Sequence, residues 1–178
     1  MSVKGRQNSI GCRATWHPYC EPRILMAVIS DYGAAFRDAY AVLHGGRADE
    51  GGGLTERKPG EPLEEYLARS RSQSLGRVRK QLLGVEPPQA LAKAHDTLLH
   101  LLANAVEADA ALAAQVEAYR CGQFHESVAH SDRLQPLVAE SARLDRELIV
   151  SLQEAEARAP GTLAELGLEG LPSSASGP

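Results

Sequence analysis

The sequence predicts an all-α protein, an antiparallel helical bundle built on a long C-terminal helical hairpin, with two shorter N-terminal helices. Three observations predict this fold class. Apolar residues recur at the spacing of one helix face in four separate segments. Six of the eight aromatic residues lie within the first 66 positions, so the later core has to be built mainly from Leu, Val and Ala. No Gly or Pro interrupts residues 89–121, where Ala and Leu dominate.

The N-terminal part is predicted to contain a flexible arm, one helix and a flexible linker. Residues 1–21 show no apolar period and mix Gly, Pro and isolated charges, which is typical of a mobile arm. The helical bundle is then expected over residues 22–159. Its first helix is predicted from Ile24 to Leu43, because the apolar residues there share one side of a helical wheel. Residues 44–60 are rich in glycine, whose ordering entropy disfavours a regular element, and are predicted to be the linker.

A second helix is predicted over residues 62–83. Pro62 suits the first turn, and the glutamates around it place negative charge where the helix dipole favours it. Gly84 is expected to end this helix. Leucine and valine residues share one face of this helix, and four basic residues cluster on the opposite face. These basic residues are Arg69, Arg77, Arg79 and Lys80.

The last two helices are predicted to form the hairpin. A helix beginning at Pro87 or Pro88 would be roughly 50 Å long. Gly122 interrupts the pattern, which resumes at Phe124 and continues to Ala159, so the two long helices should fold back on each other. Pro136 lies inside the fourth helix and predicts a kink there, or else two shorter helices.

Residues 160–178 are predicted to be a mostly disordered tail. The segment Thr162 to Leu168 could form one helical turn. The end of the chain, from Pro172, is rich in Ser, Gly and Pro.

Composition restricts the location and the partners. The net charge of −4 disfavours a surface devoted to nucleic acid, because such surfaces are usually basic. The charge is unevenly distributed, with four more basic than acidic residues before position 81 and eight more acidic than basic residues after it. Three cysteines cannot complete a disulfide framework and so favour a reducing compartment. The longest apolar run, Ile24 to Ile29, is far short of the ~20 residues that span a bilayer. We therefore expect a cytoplasmic protein with no membrane partner.

Three ionisable residues occupy positions where the helical wheels place apolar side chains. They are His95 and Asp109 on the third helix and Asp145 on the fourth. Antiparallel pairing about Gly122 brings Asp145 within about one turn of His95 and brings Asp109 near Arg133. We interpret them as buried polar candidates that neighbours or water satisfy, because an unpaired buried charge is costly. The alternative is a small-molecule site built on His95 and Asp145.

The sequence predicts no metal site, no cofactor and no catalytic residue. Cys12, His17 and Cys20 could supply three zinc ligands, with Cys121 or His125 as a fourth, but their spacing matches no standard zinc module. Otherwise Cys121 is expected to be a small buried side chain at a helix end. No nucleophile elbow, Walker loop or dinucleotide fingerprint is present.

The predicted function is a non-enzymatic one, through protein–protein interaction. Two helices of roughly 30 Å cannot cover a hairpin of ~50 Å, so part of its apolar stripe should remain uncovered. A protein partner or a second copy in a homodimer would cover it, in the manner of a coiled coil. The expected interaction residues are Leu91, Leu98, Leu148 and Leu152. The alternative is an anion- or nucleic-acid-binding module that uses the basic face of the second helix, although nucleic acid is the less favoured partner.

Overall fold

The structure is a computed structural model that describes residues 21–45, 57–60 and 63–169. Side chains are described for residues 31–45, 57–60, 63 and 66–169. The predicted arm up to residue 20, most of the predicted linker and residues 170–178 lie outside this description. The zinc candidates Cys12, His17 and Cys20 therefore also lie outside it.

The described chain is all-α. Helix α1 is Glu21–Leu43, α2 is Leu63–Leu83, α3 is Ala92–Arg120 and α4 is Phe124–Arg158. A single 3-10 turn, Gln89–Leu91, leads into α3, and a short helix α5, Thr162–Glu165, follows α4. Helix α4 runs unbroken through Pro136, so the alternative of two shorter helices is wrong. The predicted helix ends are confirmed within a few residues because Gly and Pro mark each of them.

Helix α3 is the centre of the molecule. It packs against α4 along the hairpin and also contacts α2 and α1, while α1 packs on α2. Asn104 fixes the register of the hairpin, because its Nδ2 donates to the carbonyl of Leu137 and to Oγ of Ser141, each at 2.7 Å. One core joins these helices at the end of the hairpin where the chain enters α3. Its largest fully buried side chains are Tyr32, Phe36, Leu75, Val78, Leu82, Leu98, Leu102, Leu148 and Leu152.

The segment after α4 belongs to the bundle. The Glu156 carboxylate accepts hydrogen bonds from the backbone N–H groups of Gly161 and Leu163, both at 2.8 Å, and so holds the start of α5. Leu166 is buried in the core. The predicted helical turn is thus present, and Leu166 has a buried site beside α1.

The turn at the hairpin tip is short. Gly122 has a φ of 73°, a left-handed conformation that glycine adopts without steric cost. The backbone N–H of Gln123 donates to the carbonyl of Ala118 at 2.9 Å, which satisfies one of the free carbonyls at the end of α3. Cys121 is exposed at this turn, so its predicted buried position is wrong: the turn projects beyond the packed helices.

Candidate interaction surface

One face of α3 carries a heptad pattern along the whole helix. Its residues recur at alternating spacings of four and three, the pattern of helices that pack side by side in a left-handed supercoil. We call this set the α3 seam. Its members are His95, Leu98, Leu102, Ala105, Asp109, Leu112, Val116 and Tyr119.

The first half of the α3 seam is buried and the second half is exposed. The exposed fraction is 6% at Ala105 but 47% at Leu112 and 65% at Tyr119. Helix α1 ends at Leu43, so it accompanies α3 for only part of its length. The pattern that buries the first half therefore continues without a covering helix over Leu112, Val116 and Tyr119, which we call the uncovered seam.

The interaction residues predicted from the sequence lie elsewhere. Leu91, Leu98, Leu148 and Leu152 are all buried in the core, so the expectation that they remain uncovered is wrong. The physical reason is the direction of the N-terminal helices. The buried side chains of α1 and α2 pack at the end of the hairpin where α3 begins and α4 ends, whereas the first turns of α2 lie beside Asp109 and Leu112 without covering the tip.

A groove of about 600 Å³ lies between α2 and the uncovered seam. Leu67 lines it from α2, and Leu112 and Val116 line it from α3. Leu67 is itself more than half exposed. The groove thus has apolar walls on two helices, and Arg71 and Asp109 also line it.

Asp109 interrupts the apolar seam between its two halves. Nε of Arg71 lies 3.1 Å from Oδ2 of Asp109 and forms an ion pair with it. The geometry does not make a hydrogen bond, and this buried oxygen accepts none from the residues that the structure describes. Burial raises the pKa of the Asp109 carboxyl, and the Arg71 charge opposes that shift. Arg71 on α2 supplies the cation beside Asp109, in place of the predicted Arg133 on α4.

Aromatic side chains extend the exposed apolar surface around the turn. The rings of Tyr119 and Phe124 pack edge to face, with centroids 5.7 Å apart. Val128 follows Phe124 by one helical turn and is also exposed. The exposed surface therefore continues from the α3 seam onto α4.

His95 and Asp145 do not form the predicted pair. His95 is buried against the ring of Tyr32, with centroids 5.8 Å apart. Its burial lowers its pKa, while nearby Asp96 acts in the opposite direction. Asp145 lies instead beside His44, with 3.5 Å between Oδ1 and Nε2. His95 therefore meets Tyr32 on α1, whereas Asp145 meets His44, just beyond the end of α1.

The predicted anion-binding residues all lie on α2. Arg79 and Lys80 are exposed, and Arg77 is partly buried. The guanidinium of Arg69 lies over the ring of Tyr66, 5.8 Å from its centroid. Binding of a polyanion to this face stays a prediction.

Metal-binding clusters and membrane-spanning helices are both absent from the described residues. No group of three or more His, Cys, Asp and Glu side chains there is arranged to hold a metal ion. None of the described helices combines the length and apolarity needed to span a bilayer.

Comparisons with known proteins give no relative. No family model matches the chain, and searches of curated proteins and of solved structures find no similar protein.

Sequence reasoning missed two residues of this surface. Arg71 was not singled out, although the antiparallel course of α2 along α3 could have placed it opposite Asp109. Tyr119 was not singled out either, yet the alternating spacing of four and three places it on the seam. Counting that spacing along all of α3 would have found it.

Proposed function

We propose that this protein is a non-enzymatic helical-bundle protein that associates with a second copy of itself through the uncovered seam of its hairpin. The main observation in support of the proposal is that side-chain exposure changes along the heptad pattern of α3. The pattern is buried as far as Ala105 and exposed from Leu112 onward. Burial of apolar surface is the main favourable contribution to such association.

The surroundings of the uncovered seam support this role. Leu67 on α2 and Phe124 on α4 add exposed apolar surface on either side of it. Three helices thus contribute to one apolar area, and such areas usually mark interaction sites in proteins. The groove beside it offers room for side chains from another helix.

The test is the oligomeric state of the full chain as a function of concentration. Light scattering and sedimentation should show a monomer–dimer equilibrium. The variant Leu112→Glu should be monomeric at concentrations where the native chain is dimeric, because it places a charge in the apolar contact. Its circular dichroism spectrum should remain helical, because Leu112 lies outside the core.

Val150→Glu is the matched control. Val150 has the same exposed fraction as Leu112, 47%, but lies on α4 near the other end of the hairpin. This variant should dimerise like the native chain. A native chain that stays monomeric at high micromolar concentration would refute the proposal, and so would a dimer that both variants retain.

A further inference from the structure

We propose that a cavity beneath the C-terminal segment of the bundle binds a small, uncharged apolar molecule of about the size of benzene or indole. The cavity has a volume of about 140 Å³ and lies between α1, the 3-10 turn that leads into α3, and α5. Leu91 and Ala159 line it, so it is at the end of the hairpin opposite the uncovered seam. The proposal is therefore independent of the self-association proposed above.

Small residues create the cavity. Gly33 on α1, Ala90 in the 3-10 turn and Ala159 after α4 all line it, and none of them has a side chain larger than a methyl group. The neighbouring core side chains are closely packed, with exposed fractions of 1% at Tyr32 and 2% at Leu166. Protein interiors contain few voids larger than a water molecule, so a cavity of this size is a distinct feature of the fold.

The wall that α5 forms is fixed from two sides. The Glu156 carboxylate accepts hydrogen bonds from the backbone N–H groups of Gly161 and Leu163 and so holds the start of α5. Beside the cavity, α5 already touches α1, because a Cβ on Gly33 would lie 3.4 Å from the carbonyl oxygen of Glu165. These contacts keep α5 from collapsing into the cavity and filling it.

The polar groups around the cavity are already hydrogen bonded or out of reach. Oγ1 of Thr162 donates to the carbonyl of Ala159 at 2.6 Å, and the backbone N–H of Leu91 donates to the carbonyl of Pro88 at 2.8 Å. The Tyr32 hydroxyl oxygen is buried, which leaves the ring of this residue to line the cavity. A buried water needs about two to four polar partners, whereas an apolar cavity of about 150 Å³ can stay dry and bind benzene. These walls therefore favour an uncharged apolar occupant.

Titration of the full chain with benzene or indole, followed by NMR of the leucine methyl groups, tests the proposal. Saturable shifts should appear at Leu91 and Leu166, with a dissociation constant of about 1 mM or tighter, while the methyl groups of Leu112 stay unchanged. Both molecules should also raise the unfolding temperature, because they bind the folded chain. Benzoate should not bind, because no cation is among the described residues that line the cavity and its carboxylate would lose its hydration there.

Variants that fill the cavity test its location. Ala159→Leu adds apolar volume from the end of α4, and Ala90→Leu adds it from the 3-10 turn, so each should raise the dissociation constant by about tenfold or more. Ala113→Leu is the matched control, because this alanine lines the groove beside the uncovered seam. It should bind both molecules like the native chain. Circular dichroism should show the same helical content in all three variants.

Three results would overturn the proposal. The first is the absence of saturable shifts with both benzene and indole. The second is a set of shifts centred on Leu112, which would place the molecule in the groove beside the uncovered seam. The third is native affinity in both Ala159→Leu and Ala90→Leu, since a molecule inside the cavity would compete with the added side chains.

Discussion

Nδ2 of Asn104 on α3 donates a hydrogen bond to Oγ of Ser141 on α4, with 2.7 Å between the two atoms. The same amide also donates to the carbonyl of Leu137. One polar side chain therefore bridges the two long helices near the middle of their contact. A slip of the hairpin by one turn would leave this amide without both acceptors, so the pair selects one register.

Asn104→Ala should destabilise the monomer by about 1–3 kcal/mol, because two partly buried acceptors lose their donor. Urea unfolding under dilute conditions, followed by circular dichroism, measures this difference in free energy of unfolding. Glu107→Ala, at an exposed position of the same helix, is the control and should change stability little. Equal stability of the Asn104 variant and the native chain would contradict a structural role for the amide.

Leu98 and Leu112 are the same residue type on the same seam, two heptads apart. Leu98 is fully buried, so Leu98→Ala should destabilise the monomer by about 2–5 kcal/mol. Leu112 is half exposed in the monomer, so Leu112→Ala should cost clearly less in dilute solution. Chemical unfolding of both variants at submicromolar concentration compares them directly. Similar losses at the two positions would mean that the uncovered seam is covered within the monomer.

His95 should make stability depend on pH. Burial lowers the pKa of His95 in the folded chain below 6.5, the ordinary value expected in the unfolded chain. At a pH between these two pKa values the unfolded chain therefore binds more protons than the folded chain. Stability should therefore fall as the pH falls below 6.5, until the folded pKa is reached. His95→Phe removes this titration, so its unfolding midpoint should decline less over that interval. Parallel pH profiles of the two proteins would show that His95 does not contribute.

Glu156 should control the attachment of α5. Two backbone N–H groups donate hydrogen bonds to its carboxylate and lower the pKa of that carboxyl below its ordinary value of 4.5. The stabilisation from these hydrogen bonds is therefore fully present above pH 4.5 and is lost as the pH falls through the pKa of the folded chain. In Glu156→Gln the amides of Gly161 and Leu163 should exchange with solvent deuterium faster at pH 7. Glu154→Gln, whose carboxylate instead contacts Lys93, should leave their exchange unchanged.

Cys121 should be a slow nucleophile although it is exposed. Its thiol hydrogen bonds to the Glu117 carboxylate, and this contact raises the pKa of the thiol. With Cys12 and Cys20 replaced by serine, alkylation by iodoacetamide at pH 8 should be faster in Glu117→Gln than in the otherwise identical chain. Glu126→Gln should have a smaller effect, because the Glu126 charge contributes least to the shift. Equal rates in all three would contradict control by Glu117.

The sequence was sufficient for the helices because their ends are chemically marked. Gly84, Pro88 and Gly122 each stop or start a helix, and the apolar spacing between such residues identified all four long helices. The close contact of α3 with α4 followed from the short turn at Gly122. These are local properties of the chain, which a single sequence can express.

The site was harder to predict because it depends on which helix lies beside which part of α3. A helical wheel gives the direction of a side chain and does not name the element that it meets. Asp109 was assigned a partner on α4, whereas α2 supplies Arg71. His95 was paired with Asp145, but His95 lies against Tyr32 of α1 and Asp145 lies beside His44, just beyond the end of α1. The choice of neighbour is a long-range property of the fold.

Because Leu166 is buried beside α1, α1 can complete its packing only after the segment around Leu166 has been synthesised. Gly33 and Glu165 approach so closely that a Cβ on Gly33 would lie 3.4 Å from the Glu165 carbonyl oxygen. Helix α1 is thus completed by a segment that the ribosome synthesises only after α2, α3 and α4. Until then the face of α1 around Gly33 lacks this cover, and a nascent chain with exposed apolar surface is prone to aggregate.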